Sequence, residues 1–427
     1  EATGDGVVGP PVADGGTANV GIESATAAKQ VLLINGVDPA GDLEIKAGDE
    51  VTFVVEVRLP IGDVDSFALQ DYPPLPIFDV DQIDAATAWR GQLAPGVAPA
   101  AGEIAALASL AGQPGADPAD FSGGAAPVVG VDGGNNAFRL DFGDLEDPTN
   151  AERRFFIAYT LAVADEPFAD GLSLTNQSVT SGADSNGDVV QIVDIEQVVL
   201  RQPELTVQKG VVAATSGADK LTGNVGPAVF APPTTTGPAL VADLTAASIA
   251  GDPVDADAER LDAGDVVRFA LTIQNTGGEP AVDISLTDDL APLLVDGIFG
   301  LYDPTPGLPD SGDEGNLRVT YGDRVAASFD ASTFFVDGRL SILDDRAFDP
   351  GSPGDLAGLD EAGTTGSDVL VVTYDLVVLD TTPTAFSGTN TATLDTYGAV
   401  ASGTNFLDGI AAVDRPNDAA ELAGAAI

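Results

Sequence analysis

Four blocks of this sequence occur twice, in one order and at an offset of about 215 residues, which restricts the chain to two similar folding units in tandem. KAGDEVTFVVEV (46–57) matches DAGDVVRFALTI (262–273) and pairs Asp49 with Asp265. SFALQDYPPLPI (66–77) matches DISLTDDLAPLL (283–294) and pairs Asp71 with Asp288. RRFFIAYTLAVAD (153–165) matches SDVLVVTYDLVVLD (367–380) and pairs Tyr159 with Tyr374, while LTNQS (174–178) matches GTNTA (388–392) and pairs Asn176 with Asn390. The strand blocks persist while the stretches between them differ, so the blocks are the common framework and the rest is variable loop.

The blocks alternate with a period of two, as half-buried strands do. Ile157, Tyr159, Leu161 and Val163 share one side, as do Val372, Tyr374, Leu376 and Val378. Short alternating strands between Gly, Pro and Asp turns point to an all-β chain of two tandem immunoglobulin-like β-sandwich domains with loop insertions. The expected division is a leading segment or contact arm at 1–28, a first sandwich at 29–204, a second at 205–404 and a trailing segment at 405–427. QPELTVQKG (202–210) is expected to make a stiff junction. The pattern around NTGGEP reads as a β-hairpin over 269–286, with Gly supplying the turn and Pro ending the ladder. AGEIAALASLAG (101–112) reads as one short helix in an insertion of the first copy.

Charge and missing residue types narrow the function. Lys and Arg total 17 against 67 Asp and Glu, a formal charge of −50, so a polyanion is repelled and nucleic acid is excluded as a partner. Hydrophobic residues still make up 44%, enough for packed cores rather than a disordered acidic tail. The absence of Cys excludes disulfides and thiolate sites, and the absence of His removes the commonest general base and metal ligand. No apolar run approaches the about 18 residues of a membrane span. No two carboxylates pair at an identifiable cleft for glycoside hydrolysis, and an enzyme is not expected. A chain that begins at Glu1 and holds no Met is read as a piece of a longer, extracellular or cell-surface protein.

One feature of the framework asks for chemistry. Asp288 follows Leu286 by two and therefore points inward, where a carboxylate needs a partner or a neutral form. Lys209 shares parity with Leu205 and Val207, and Asn390 with Ala392 and Leu394. The first copy repeats this with Lys29, Asp71 and Asn176. Each copy thus offers an inward Lys on its first strand, an Asp on a middle strand and an Asn on a late strand. Such a trio is either a hydrogen-bonded polar cluster or the makings of a Lys–Asn amide with Asp as proton shuttle. An inward Asn176 also makes the Asn176-Gln-Ser178 glycosylation sequon accidental.

Two weaker signals remain. Asp184, Asn186 and Asp188 alternate as in calcium loops, but Val189 and Ile195 stand where an EF-hand has its Gly and Glu, so calcium is the one cofactor suggested, by an incomplete motif. Trp89, the only Trp, lies in an insertion, where it fills a satellite core or stacks on a sugar or a neighbouring subunit.

LTVQKG (205–210), AGDVVRFALTIQNTGGEPAVDISLTDDL (263–290), VVTYDLVV (371–378) and GTNTATL (388–394) resemble the bacterial and archaeal surface-protein repeat known as domain of unknown function number eleven. They are also similar to fimbrial domains that form internal isopeptide bonds. The first copy matches more loosely, with RLPIGD in place of NTG. The resemblance implies sandwich stalks of large secreted adhesins, filaments or envelopes. Residues 1–28 and 405–427 read as the end of one unit and the start of another, and are expected to contact neighbouring repeats or copies head-to-tail. The alternative is an adhesin tip whose insertions at 85–125 or 227–250 contact glycan or a host protein.

Overall fold

The computed structural model describes residues 25–424 apart from 42, 60, 94–96, 111–112, 115–125, 147–151, 184–186, 188, 228–229, 237–239, 241–243, 295–296, 306–313, 322–323, 326–333, 337, 344–360, 362–367, 384 and 412–415. The chain is all-β, and each copy packs two sheets around its own core. No described helix is long and apolar enough to cross a membrane.

The first copy contains β1 (Thr26–Ile34), β2 (Glu50–Leu59), β3 (Val64–Tyr72), β4 (Trp89–Leu93), β5 (Ile104–Leu107), β6 (Val128–Asp132), β7 (Ala137–Leu145), β8 (Arg153–Ala162), β9 (Leu172–Ala183) and β10 (Val189–Leu200). One sheet runs β1-β2-β8-β5-β4, and the facing sheet runs β10-β9-β3-β7-β6 with the two-residue strand Glu44–Ile45 on its first edge. The second copy contains β11 (Leu205–Ala214), β12 (Asp257–Leu261), β13 (Val266–Asn275), β14 (Val282–Asp289), β15 (Arg318–Tyr321), β16 (Arg339–Leu343), β17 (Val369–Val378), β18 (Ser387–Gly398) and β19 (Asn417–Gly424). Its sheets are built on β11-β13-β17-β15 and β12-β19-β18-β14-β16. The triplet β1-β2-β8 corresponds to β11-β13-β17, and β10-β9-β3 corresponds to β19-β18-β14. The duplication is therefore one of strand order as well as of sequence.

Three sequence expectations are corrected. Residues 269–286 do not form a hairpin: β13 and β14 belong to opposite sheets, and NTGGEP carries the chain across the sandwich. Alternation reports one buried face per strand, and two strands facing each other across a core bury faces as well as two neighbours do. Residues 101–112 do not form a helix: Ile104–Leu107 is a strand paired with β8, buried along its whole length and so without alternation. Of the expected trailing segment, residues 417–424 pair with β18 along seven positions as a strand of the second sandwich itself.

Both insertions are built onto the sheet that opens their copy: the first extends it at its edge as β5 and β4, and the second packs on its outer face. In the first copy Leu93, Ala105 and Leu107, on β4 and β5, cluster beside Val54, Phe156 and Ala158 within that sheet. In the second, Leu244 and Ile249 cover Val369 and Val371, with Phe230 alongside. Each insertion is tied down at one register position. Thr52 and Thr160 share a 2.8 Å hydrogen bond, and Thr160 donates to the Pro99 carbonyl. The equivalent cross-strand pair is Arg268 and Asp375, joined at 2.7 and 2.9 Å, with Arg268 donating to the Ala231 and Thr235 carbonyls.

The junction is closely hydrogen-bonded. The buried Gln202 side chain accepts from Phe168 N and donates to the Glu166 carbonyl, while Thr276 N and Gly278 N donate to Glu204 and Gln202 carbonyls. Lys46 meets Glu279 at 3.1 Å, and Thr404 N donates to Asp165 across the copies. A Cβ on Gly277 would stand 2.2 Å from the Gln202 oxygen and 2.5 Å from Glu204 N, both backbone atoms. Gly277→Ala is expected to cost about 1–3 kcal/mol, as overpacking does. Hydrogen exchange at 202–205 should rise before the sandwich cores open, which exchange mass spectrometry reads directly.

Candidate functional site

The six inward residues form two clusters, each astride the two sheets of its own sandwich. β1 and β11 bring Lys29 and Lys209 in from one sheet, while β3, β9, β14 and β18 bring Asp71, Asn176, Asp288 and Asn390 from the other. All six are buried. On the second sheet the positioning is a matter of register. Asp71 pairs with Ser178 and Asp288 with Ala392, so each Asn sits two residues along on the same face.

Each cluster contains a residue that the inward trio omitted, Tyr159 on β8 and Tyr374 on β17. In the first copy Lys29 Nζ lies 2.5 Å from Asp71 Oδ2, Tyr159 donates its hydroxyl to Asp71 Oδ1 at 2.8 Å, and Asn176 Nδ2 donates to the Tyr159 oxygen at 2.8 Å. In the second, Lys209 Nζ lies 2.5 Å from Asp288 Oδ1, Tyr374 donates to Asp288 Oδ2 at 2.6 Å, and Asn390 Nδ2 donates to the Tyr374 oxygen at 2.7 Å. The order Lys, Asp, Tyr, Asn is the same in both. The signal was available, because Tyr159 and Tyr374 are matched by the duplication. A Tyr in an apolar strand reads first as core, and these two rings do stack on Phe53 and Phe269, with centroids 5.4 and 5.1 Å apart. The same Phe rings pack beside the lysines, whose Nζ atoms lie 5.4 and 5.6 Å from the ring centres.

Burial decides the protonation chemistry. It pushes the Lys29 amine below its ordinary range, against the pull of Asp71, and pushes the Asp71 and Asp288 carboxyls up against their lysines and tyrosine hydrogen bonds. Both shifts in the first pair favour a neutral amine beside a neutral carboxyl. Tyr159 and Tyr374 are held well above the phenol range by burial and by the neighbouring carboxylates, so they remain hydroxyls. Asn176 Oδ1 and Asn390 Oδ1 are buried with no hydrogen-bond partner among the described residues. A dry nucleophilic amine, a carboxyl able to exchange protons and an unengaged carboxamide carbonyl are the parts that amide formation needs.

The other sequence candidates separate from these clusters. Asp184, Asn186 and Asp188 lie outside the described residues, among which no three acidic side chains are grouped to hold a metal ion. Asn176 is buried and offers no sugar attachment point. Trp89 is half-buried, with its ring edge against Phe142 at 5.9 Å, and packs on the main core of the first copy rather than on a satellite.

No family model matches the chain, and no curated protein matches it. Among solved structures it is similar to the C-terminal domain of the Streptococcus agalactiae AgI/II polypeptide BspA, at 9% identity over 93% of this chain and 99% of that one, with a TM-score of 0.33. It is similar also to the C-terminal domain of the Streptococcus pyogenes antigen I/II-family protein AspA, at 11% identity over 94% and 100%, with a TM-score of 0.35. BcpA, the major pilin subunit of Bacillus cereus, matches at 12% identity over 60% of each chain, with a TM-score of 0.27. Likeness this remote transfers no property to the chain. The architecture rests on its own strand pairing and the site on its own distances.

Proposed function

We propose that the chain is a non-enzymatic structural module of an extracellular surface adhesin, filament or envelope layer, in which each sandwich is closed by an amide between its lysine and its asparagine. The observation that carries this is the recurrence of one buried Lys, Asp, Tyr and Asn arrangement at equivalent register in two copies that otherwise differ in their loops. A buried lysine and aspartate kept only for stability is a poor use of core space, because apolar residues of the same volume serve as well or better. Closing Lys29 to Asn176 and Lys209 to Asn390 would tie first strand to late strand without the oxidant that a disulfide needs. In a chain without cysteine such a bond would supply the covalent closure that a disulfide cannot. Neighbouring repeats or second copies, meeting head-to-tail, are the partners this role calls for.

Pulling single molecules from their ends tests the role. The closed loops span roughly 150 and 180 residues, so their release would add contour lengths of roughly 500 and 600 Å at about 3.5 Å per residue. The expected result is that neither gain appears at forces that unfold ordinary sandwiches. Two gains of that size would refute a tension-bearing cross-link.

A further inference from the structure

We propose that Tyr159 and Tyr374 are catalytic in this closure: each hydroxyl is the acid that delivers a proton to the departing asparagine nitrogen. The proposal rests on the cross-link reading and adds the residue that the inward trio lacks. In both copies the two carboxyl oxygens of the aspartate are already engaged, one by the lysine and the other by the tyrosine. The group seen on each Asn Nδ2 is the tyrosine oxygen, at 2.8 and 2.7 Å. A proton leaving the lysine for that nitrogen therefore has a continuous route, from amine to carboxyl to phenol to carboxamide.

The reaction also demands a group of this kind. An amide nitrogen in its planar ground state has no free lone pair and can only donate. After attack at Cγ the nitrogen becomes pyramidal, gains a lone pair and must accept. A hydroxyl both donates and accepts, so it can serve the nitrogen before and after that change, which an ionised carboxylate or an ammonium cannot. Electrons and protons balance along the chain. The Nζ lone pair forms the Nζ–Cγ bond as the carbonyl pair moves onto Oδ1. The Nζ proton passes to the carboxyl oxygen it faces; once Nδ2 has become an acceptor, the tyrosine hydroxyl turns from the carboxyl to Nδ2 and gives up its proton there, and its oxygen takes the carboxyl's own proton from the other carboxyl oxygen. The Cγ–Nδ2 bond then breaks with its pair on nitrogen, the Oδ1 pair re-forms the carbonyl, and one ammonia leaves. Aspartate and tyrosine finish as they began.

The test uses the full chain made by cell-free synthesis, quenched in denaturant at intervals and mapped for the peptides that join Lys29 to Asn176 and Lys209 to Asn390. Wild type is expected to form both. Tyr374→Phe should form the second bond about 100-fold more slowly, the scale of general acid catalysis, while the first bond forms at the wild-type rate. Tyr159→Phe should show the converse. Both bonds at the wild-type rate in both variants would overturn the tyrosine's role and leave the cross-link standing, whereas neither bond in wild type would overturn the cross-link and the relay together. Should a Phe variant fail to fold, replacing all six tyrosines with difluorotyrosine keeps the shape and makes the hydroxyl a stronger acid. The relay predicts a several-fold change in rate, and an unchanged rate refutes it.

Discussion

Asp288→Ala is expected to leave the second sandwich without the proposed cross-link and with a buried lysine amine that has lost its carboxyl partner. Lys209 and Asp288 are both fully enclosed, and removing one partner of a buried hydrogen-bonded pair costs about 1–3 kcal/mol. The open loop should cost a further 2–5 kcal/mol or so, by analogy with other covalent closures of long loops. Asn390→Ala separates the two contributions, since it abolishes the bond but keeps the Lys209 and Asp288 pair. Chemical denaturation should place Asp288→Ala below Asn390→Ala by the first amount. Equal stability of the two variants would mean that the pair itself contributes nothing.

The second large effect lies on the sheet that carries Lys209, on its opposite face. Arg268 is the bulkiest fully buried side chain among the described residues, and its guanidinium holds Asp375 through two nitrogens while fixing the 231–235 turn. Asp375 also accepts from Thr234 N and Asn316 Nδ2, so Arg268→Ala leaves a buried carboxylate with neutral donors alone. A loss of about 3–5 kcal/mol is expected. Hydrogen exchange should rise first in 231–235, the turn this cluster anchors. The first copy supplies the control, because Thr52 and Thr160 occupy the equivalent positions. Arg268→Thr combined with Asp375→Thr should be more stable than either single change, since no charge is then stranded. A double variant as unstable as the sum of the singles would contradict the account of that anchor.

How far the sequence reached depends on which physical signal each feature leaves. Lys29, Asp71, Asn176 and their counterparts were legible because a polar residue in phase with apolar neighbours breaks a pattern, and the duplication shows the break twice. Tyr159 and Tyr374 break no pattern: half of each ring belongs to the core it stacks in, and only the hydroxyl belongs to the site. Arg268 and Asp375 were hidden for another reason. The duplication sets them against Thr52 and Thr160, residues of different type and size, and their partnership exists only once β13 and β17 are in register. The same limit explains the hairpin expected at 269–286. Which faces are buried is written in the alternation of Phe269, Leu271 and Ile273, but which strand lies beside which is set by packing across the whole sandwich.

The proposed Lys–Asn bonds are covalent, and the intact mass of the purified full chain in denaturant tests them most directly. The expected mass lies below that of the sequence by two ammonias, roughly 34 Da, with Asp71→Ala and Asp288→Ala each restoring roughly 17 Da. A wild-type chain at the full mass of its sequence would contradict it, leaving two buried hydrogen-bonded clusters and no cross-link.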